Sequence, residues 1–237
     1  MLNNEEPLYL KIRRILEHEI REHLEAGQKL DSETRLAERF NVNRHTLRRA
    51  VDVLVQEGLI ERRRGVGLFV LDPPFDYPLE ADTRLTANLA HMRTRGQRQL
   101  LRKFTAPAGK SVSERLQVKE DTPVFCLEYL ITTDKKTLSL ASHYFEYKPF
   151  AAIYTDFERS GSLHAFIRNT YGLELKRVSS VISAGLPNQD DASFLRIPKT
   201  LPVLTVRSLN VDQKTNKPVE YVRSRFRSDR LELSVKF

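Results

Sequence analysis

The sequence predicts an α+β protein made of two parts, with helices and a short hairpin first and a mostly antiparallel sheet with helices after them. Three observations support this fold class. Apolar residues recur at helical spacing up to residue 57, three prolines fall within residues 72–78, and strand-like alternation dominates from residue 97. The 237 residues suffice for two domains. We therefore expect domains at residues 1–71 and 84–237, joined by a linker at 72–83.

Within the first part, the apolar periodicity predicts three helices, over residues 7–26, 33–40 and 44–57. Ser32 is a suitable N-cap for the second helix, while Gly27 and Gly58 are suitable stops for the first and third. Two short strands are expected next, at 59–62 and 68–71. Glycines at 65 and 67 permit the tight turn that would pair these strands as a hairpin.

The second part alternates between strand and helix patterns. Strands are predicted at residues 97–106, 123–133, 137–147, 174–186, 202–212 and 218–227. Helices are predicted at 84–95, 110–117, 162–171 and 188–195, the third ending at Gly172. Prolines at 73, 74 and 78 break regular structure, so residues 72–78 are expected to form a stiff connection rather than a flexible one.

The composition excludes several classes of protein. The single cysteine, Cys126, cannot form an intrachain disulfide framework, and the six histidines lack the spacing of metal ligands. The sequence lacks the Gly-x-Ser-x-Gly, P-loop and Gly-x-Gly-x-x-Gly motifs of common enzymes. Its first residues show neither the basic stretch nor the apolar run typical of a signal peptide, and no run approaches the roughly 18 apolar residues that span a membrane. We expect a cytoplasmic protein with no metal, no cofactor and no enzymatic activity; an enzyme of unknown reaction stays the alternative.

The net charge of +8 suggests a polyanionic partner, but its distribution does not locate that partner. Residues 1–71 hold 13 basic and 12 acidic residues, and the remainder of the chain holds the other 26 basic and 19 acidic residues. Between residues 39 and 64, however, seven arginines are accompanied by only three acidic residues. The local pattern therefore matters more than the total charge.

Residues 36–50 combine the features that a helix-turn-helix needs. A small residue, Ala37, lies where two helices would cross, and Val42, Leu47 and Ala50 fall on the inner side of the second helix. The outer side carries five candidates for contact with DNA, namely Arg44, His45, Thr46, Arg48 and Arg49. The tip of a wing against the DNA backbone or minor groove would consist of Arg63, Arg64 and Gly65. A solvated three-helix bundle is the alternative.

Residues 30–70 resemble the N-terminal domain of the GntR family of bacterial regulators. The family's Leu-Pro-Ser-Glu stretch appears as Leu30-Asp31-Ser32-Glu33, with aspartate in place of proline. Its Thr-x-Arg-x-Ala core and its Gly-x-Gly-x-x-Val wing appear at residues 46–50 and 65–70. The resemblance implies a winged helix-turn-helix, with Glu33 in a loop that meets the DNA. It also implies a homodimeric repressor on a palindromic, double-stranded operator.

Residues 84–232 resemble the ligand-binding domain of the histidine-utilisation-repressor subfamily. The matching stretches are Arg84-Leu85-Thr86, Gly161-Ser162-Leu163, Tyr171-Gly172, Pro218-Val219-Glu220-Tyr221 and Arg227-Ser228-Asp229-Arg230. The resemblance implies a UTRA domain, with a chorismate-lyase-like fold, that binds an effector and forms the dimer. Stretches at 43–50, 74–79 and 143–145 further resemble a regulator of phosphonate metabolism. We therefore expect a small anionic effector of the phosphonate type, with a sugar phosphate, an amino-acid derivative and a urocanate-like ligand as alternatives.

The resemblance and the chemistry of helix ends place the effector at the starts of two helices, where free N–H groups and the helix dipole favour an anion. Arg84 and Thr86 are candidates at the first start, where Arg84 could instead brace the sheet. Ser162 is the candidate at the second start, where it could instead be only an N-cap. His143 and His164 are candidates for binding phosphonate oxygens, and His143 could instead be a satisfied core residue.

Two further residues complete the candidate effector site. Sugar-phosphate sensors carry arginines at positions that are Tyr129 and Ile131 here, so the resemblance implies a different ligand, with Tyr129 facing it. Glu220 would anchor the amine of an aminoalkyl phosphonate. A ligand bound among these residues would change DNA binding by population shift, and the proline-rich linker would transmit the change.

Overall fold

The structure, a computed structural model, describes residues 6–71, 74–80, 96–133, 136–157 and 162–235. The chain divides into two compact units, Met1–Phe75 and Asp76–Phe237. The helix predicted at 84–95, with Arg84 and Thr86, lies outside the described residues, and so does Gly161.

The first unit contains three helices followed by a hairpin. Its elements are α1 (Leu8–His23), α2 (Glu33–Arg39), α3 (Arg44–Gln56), β1 (Ile60–Arg63) and β2 (Gly67–Val70). All five predicted elements are confirmed. Ser32 caps α2 as predicted, since its hydroxyl accepts a hydrogen bond from the backbone N–H of Arg35 at 3.3 Å. Gly58 follows α3 with a left-handed φ of +72°, as expected of a helix stop.

The core of the first unit forms where the apolar faces of its helices meet. Leu47 and Ala50 of α3 are fully buried, and Ala37 of α2 is buried beside them. The same core includes Ile12, Leu16, Ile20, Val51, Leu54 and Ile60. Each buried aliphatic side chain of this size stabilises the fold by about 1.5–3 kcal/mol. This packing fixes the rotation of α3 and therefore determines which of its side chains face outwards.

The second unit is built on a six-stranded antiparallel sheet. Its strands are β4 (Gly96–Pro107), β5 (Pro123–Thr133), β6 (Lys136–Glu146), β7 (Leu175–Gly185), β8 (Val203–Asp212) and β9 (Pro218–Arg227). They lie in the order β4-β5-β6-β9-β8-β7. Its described helices are α4 (Lys110–Leu116), α5 (Ala151–Thr155), α6 (Leu163–Tyr171) and α7 (Gln189–Leu195). The predicted α+β class with a mostly antiparallel sheet is confirmed.

Helices cover both faces of this sheet, because successive strand residues point to opposite sides. On one side Phe125 packs with Leu163 of α6, and we name this side the α6 face. On the other side Val124 packs with Leu116 of α4, and Leu140 packs in the cluster that contains α7. We name this second side the α7 face.

The expected lack of regular structure over residues 72–78 is wrong for part of that stretch. Residues Phe75–Pro78 form strand β3, which pairs with the last strand, β10 (Leu231–Ser234). Pro78 ends the strand, a position where a missing N–H is tolerated. Tyr77 is buried, and its ring centroid lies 5.9 Å from that of Phe226. The sequence pattern predicts neither β10 nor α5.

The first helix also ends earlier than expected. α1 ends at His23, and the chain is already extended at Leu24. Gly27 has a left-handed φ of +82° and donates its N–H to the carbonyl of Val70 at 2.8 Å. Gly27 therefore turns the chain back onto the hairpin instead of ending the helix.

Candidate nucleic-acid interface and ligand cavity

The turn between α2 and α3 is fixed by local hydrogen bonds. The side chain of Asn43 accepts a hydrogen bond from the N–H of Thr46 at 2.8 Å and so caps α3. Asn41 adopts the left-handed conformation at φ +50°, and the N–H of Val42 donates to the carbonyl of Ala37 at 3.0 Å. These contacts hold the first turn of α3 in place, with its polar side chains at the surface.

The outer side of α3 carries most of the residues predicted to contact DNA. Its exposed members include Arg44, His45 and Arg48, and Thr46 is half-buried. Arg49 is engaged with the protein, since its guanidinium lies 4.0 Å from the ring centroid of Tyr9 in α1. Arg49 therefore braces α3 against α1, and because it is exposed as well it adds to the basic polar surface that the other four residues present.

Glu33 lies at the start of α2 and binds arginines of the protein itself. Its carboxylate accepts a hydrogen bond from Arg62 at 2.8 Å and lies 3.5 Å from Nε of Arg48. Arg62 also pairs with Asp52 at 2.9 Å. The side chain of Arg48 is 65% exposed, and a long, exposed ion pair of this kind contributes little. Arg48 can therefore leave Glu33 for a base or a phosphate at small cost.

The predicted wing tip begins at the end of β1, since Arg63 is the last residue of that strand, and Arg64 and Gly65 lie in the turn to β2. Arg63 donates to Glu61 at 2.8 Å, and its guanidinium lies 4.1 Å from the ring centroid of Phe69. Arg64 is exposed, and none of the described residues forms an ion pair with it. Gly65 has φ +74°, with open space around its α-carbon. Arg64 and Gly65 therefore form a tip that can approach a DNA groove closely.

A cavity of about 120 Å³ lies on the α6 face of the sheet. Residues of β6, β8 and β9 line it, together with Tyr77, Leu79 and the start of α6. Its polar lining consists of Arg98, His143, Ser162, His164, Arg177, Ser208, Asn210, Glu220 and Ser224. One water occupies about 30 Å³, and drug-sized ligands need about 300–1,000 Å³. The cavity therefore suits a small polar molecule.

Glu220 is fully buried beside this cavity and binds three side chains. Its carboxylate lies 2.7 Å from Nδ1 of His143 and 3.1 Å from Nε2 of His164, and the amide of Asn210 donates to it as well. Burial alone would raise the pKa of Glu220. The charge of His164 and the hydrogen bonds from both histidines outweigh burial and hold that pKa well below its usual value.

The ionised carboxylate determines how both histidines are oriented. An ionised carboxylate only accepts hydrogen bonds, so Nδ1 of His143 and Nε2 of His164 must donate to Glu220. One ring nitrogen of each histidine is left for other contacts, and Nδ1 of His164 is buried with no hydrogen-bond partner among the described residues. A ligand amine that binds Glu220 directly, as expected from the sequence, would have to compete with the three side chains that already bind this carboxylate.

Tyr129 lies beneath the cavity rather than on its lining. The ring is fully buried and meets the ring of His143 edge-on, with centroids 5.5 Å apart. The guanidinium of Arg98 lies 4.4 Å from its centroid. Burial raises the pKa of Tyr129 to about 12, so the hydroxyl keeps its proton at neutral pH. Tyr129 thus supports two residues of the lining.

Sequence reasoning misses two arginines of the lining. Arg98 on β4 lies directly opposite Ile131 of β5, so the neighbouring strand supplies a positively charged side chain to the cavity. Arg177 on β7 donates to the carbonyl of Glu80 at 3.0 Å and lies 3.4 Å from the hydroxyl of Tyr77. Both arginines are visible in the sequence as arginines within a strand pattern. That pattern does not show that they face the cavity, because this depends on how the strands pair.

Ser162 combines its two expected roles. Its hydroxyl accepts a hydrogen bond from the N–H of Ala165 at 3.3 Å and caps α6, and the same residue lines the cavity. The structure thus brings together four of the predicted effector residues, namely His143, Ser162, His164 and Glu220.

Comparison with known proteins defines the class to which these two units belong. Residues 8–70 match the family described as "Bacterial regulatory proteins, gntR family", and residues 92–232 match the "UTRA domain". The chain belongs to the GntR family and carries a UTRA domain. It is therefore a DNA-binding transcription regulator and not an enzyme, as predicted. None of the described helices is long and apolar enough to cross a membrane.

The relatives of the chain include proteins named PhnF. The "Probable transcriptional regulator PhnF" of Escherichia coli (strain K12) is 39% identical over 96% of this chain and 94% of that protein. The "HTH-type transcriptional repressor PhnF" of Mycolicibacterium smegmatis is 27% identical over 92% of this chain and 91% of that protein. The crystal structure of PhnF from Mycobacterium smegmatis covers 95% of this chain and 98% of its own, with a TM-score of 0.67 at 26% identity. The chain is thus similar to PhnF proteins along nearly its whole length.

Proposed function

We propose that this regulator is a homodimeric repressor that binds a palindromic operator in the cytoplasm and responds to a small anionic effector of the phosphonate type. The observation that carries the proposal is the cavity, whose lining combines Arg98 with two histidines that Glu220 orients. The similarity to regulators named PhnF, one of them described as a repressor, supports a repressor of the same kind. The resemblance of three short stretches to a regulator of phosphonate metabolism adds to that support.

The chemistry of the cavity favours a phosphonate group as the anchored part of the ligand. Phosphonate oxygens accept hydrogen bonds, and a guanidinium fork can bind two of them at once. Arg98 and Arg177 line the cavity from β4 and β7, and Ser162 lies at the positive end of α6. Glu220 acts in this proposal through His143 and His164, by holding their rings in position.

Switching would require the ligand to act on the chain that follows the DNA-binding unit. Tyr77 and Leu79 line the cavity, and they follow the first unit, which ends at Phe75. A ligand that contacts this segment binds one conformation of it better than another. The population of the DNA-binding conformation then changes by the difference between these two affinities.

The proposal is tested by measuring operator affinity with and without 2-aminoethylphosphonate, on a DNA fragment selected from a random pool. The wild-type protein is expected to lose affinity when the phosphonate is added. Arg98→Gln should bind the operator but no longer respond, because the cavity loses a cation. Lys199→Gln removes the same charge from an exposed loop of the same unit and should behave as the wild type. A normal response of Arg98→Gln would contradict the assignment of the cavity.

A thermal-unfolding panel tests the class of ligand. Alkyl and aminoalkyl phosphonates are compared with phosphate, sugar phosphates and urocanate. A ligand present at about 100 times its Kd adds roughly 2.7 kcal/mol to the free energy of unfolding. Stabilisation by phosphonates alone is the expected result. Stabilisation by another member of the panel instead would remove phosphonate from the proposal and leave a regulator with a different effector.

A further inference from the structure

A single row of side chains crosses all six strands of the sheet on the α7 face. Strand pairing places its members side by side in the order Arg102, Glu128, Ser142, Arg223, Arg207 and Val181. Their sequence neighbours His143, Val222 and Ser208 line the effector cavity. Because side chains alternate between faces along a strand, the row points away from that cavity.

The first half of the row is electrically balanced. Glu128 accepts hydrogen bonds from Arg102 at 2.6 Å and from Ser142 at 2.7 Å. Arg225, beside the row, pairs with Glu128 at 3.1 Å and with Asp191 at 3.3 Å. Glu128 and Asp191 are therefore already bound to Arg102 and Arg225.

The second half of the row carries two positive charges without a counter-charge. Arg207 and Arg223 lie directly opposite each other on β8 and β9, and both are half-buried. Across the part of the chain that the structure describes, neither side chain makes an ion pair or a hydrogen bond, and Nε of Arg207 is buried without an acceptor. Opposite residues have Cβ atoms about 4.5–5.5 Å apart, where like charges destabilise a sheet.

We propose that Arg207 and Arg223 form an oxyanion site on the α7 face, which binds free inorganic sulfate or phosphate. Guanidinium forks on adjacent strands can each donate two hydrogen bonds to a tetrahedral oxyanion held between them. The bound anion removes the repulsion between the arginines and supplies an acceptor for Nε of Arg207. Partial burial of both side chains strengthens the attraction relative to open water. This site is independent of the effector cavity.

The test is a titration of the full-length protein with millimolar sodium sulfate, followed by thermal unfolding, with chloride holding the ionic strength constant. The melting temperature of the wild type is expected to rise and saturate. Arg207→Gln and Arg223→Gln should need roughly tenfold more sulfate, because each loses a charged fork. Lys199→Gln should respond as the wild type and controls for the general exclusion of sulfate from protein surfaces.

The stability of the variants without sulfate provides a second readout. At low ionic strength, Arg223→Gln is expected to unfold at the same temperature as the wild type or higher, because one of two repelling charges is gone. An arginine that only supports the fold would give the opposite result. A clearly lower melting temperature for Arg223→Gln would therefore overturn the proposal.

Two more outcomes would also overturn the proposal. Loss of the sulfate response in Arg98→Gln, with its retention in Arg223→Gln, would place the ion in the effector cavity. Weaker self-association of Arg223→Gln in sedimentation, with an unchanged sulfate response, would mean that a carboxylate of a second copy neutralises the pair. Phosphonate-dependent operator binding is measured on the same variants, so failure of this site is distinguished from failure of the proposed function.

Discussion

Arg48 lies on the exposed side of α3, and its Nε lies 3.5 Å from the carboxylate of Glu33. Arg48→Ala is expected to weaken specific operator binding by about 1–3 kcal/mol, the value of a good contact with a base. The fold should stay intact, because this side chain is not part of the core.

Arg64→Ala at the wing should weaken operator binding with a smaller loss of sequence preference than Arg48→Ala causes. Fluorescence anisotropy on operator and scrambled DNA at one salt concentration measures both effects.

The ionisation of Glu128 makes the stability of the second unit depend on pH. Burial alone would raise the pKa of Glu128, but the hydrogen bond from Ser142 and the charges of Arg225 and Arg102 outweigh burial and lower it. A carboxyl group whose pKa is lower in the folded chain stabilises that chain above the unfolded value, about 4.3 for glutamate. This contribution disappears as the pH falls through the folded pKa. Glu220 contributes with the same sign.

We therefore expect the free energy of unfolding to fall as the pH drops below about 4.3. Urea unfolding at a series of pH values measures this fall. Glu128→Gln should be less stable than the wild type at neutral pH and should lose less on acidification, because its side chain no longer titrates. Equal acid sensitivity of the two proteins would show that other groups dominate.

At the level of single residues, the sequence predicts the chemical role of a side chain better than its place in the folded sheet. His143, His164 and Glu220 meet at one cavity, as expected from their residue types and from the resemblance to the UTRA domain. Arg98 and Tyr129 show where such reasoning stops. The role of each depends on how the strands pair and on whether its side chain reaches the cavity or lies under its lining. A local sequence pattern shows neither.

At the level of elements, helices and strands with a clear period are predicted almost to their ends. α3 is expected at 44–57 and found at Arg44–Gln56, and β5 is found over the predicted residues, Pro123–Thr133. The short strands β3 and β10 are missed. β1 and β2 are equally short, but glycines at 65 and 67 mark the turn that joins them, whereas no turn joins β3 to β10. Each is stabilised by the other, and their separation in the sequence hides that pairing.

The segment before β3 should govern coupling between effector and operator. Insertion of a short Gly-Ser segment after Leu71 is expected to abolish the effect of a phosphonate on operator affinity, because it makes a proline-rich connection longer and more flexible. Operator affinity without ligand should change little. The same insertion after Lys199, in an exposed loop, is the control. A full response in the Leu71 insertion variant would rule out transmission through this connection.

For the whole molecule, the two-part α+β architecture and the GntR class follow from the sequence, whereas assembly is a proposal. A dimer with two DNA-binding units should read two half-sites about 10–10.5 base pairs apart. Sedimentation equilibrium should therefore give the mass of two chains. Changing one half-site should weaken binding strongly, and a protein that binds single half-sites equally well would contradict the proposed dimer.

The pairing of β3 with β10 has a consequence for how the protein is made. β3 is among the first parts of the second unit to be synthesised, and β10 is the last strand. At about 5–20 residues per second, β3 waits on the order of ten seconds for its partner. The DNA-binding unit can complete its own core during that time.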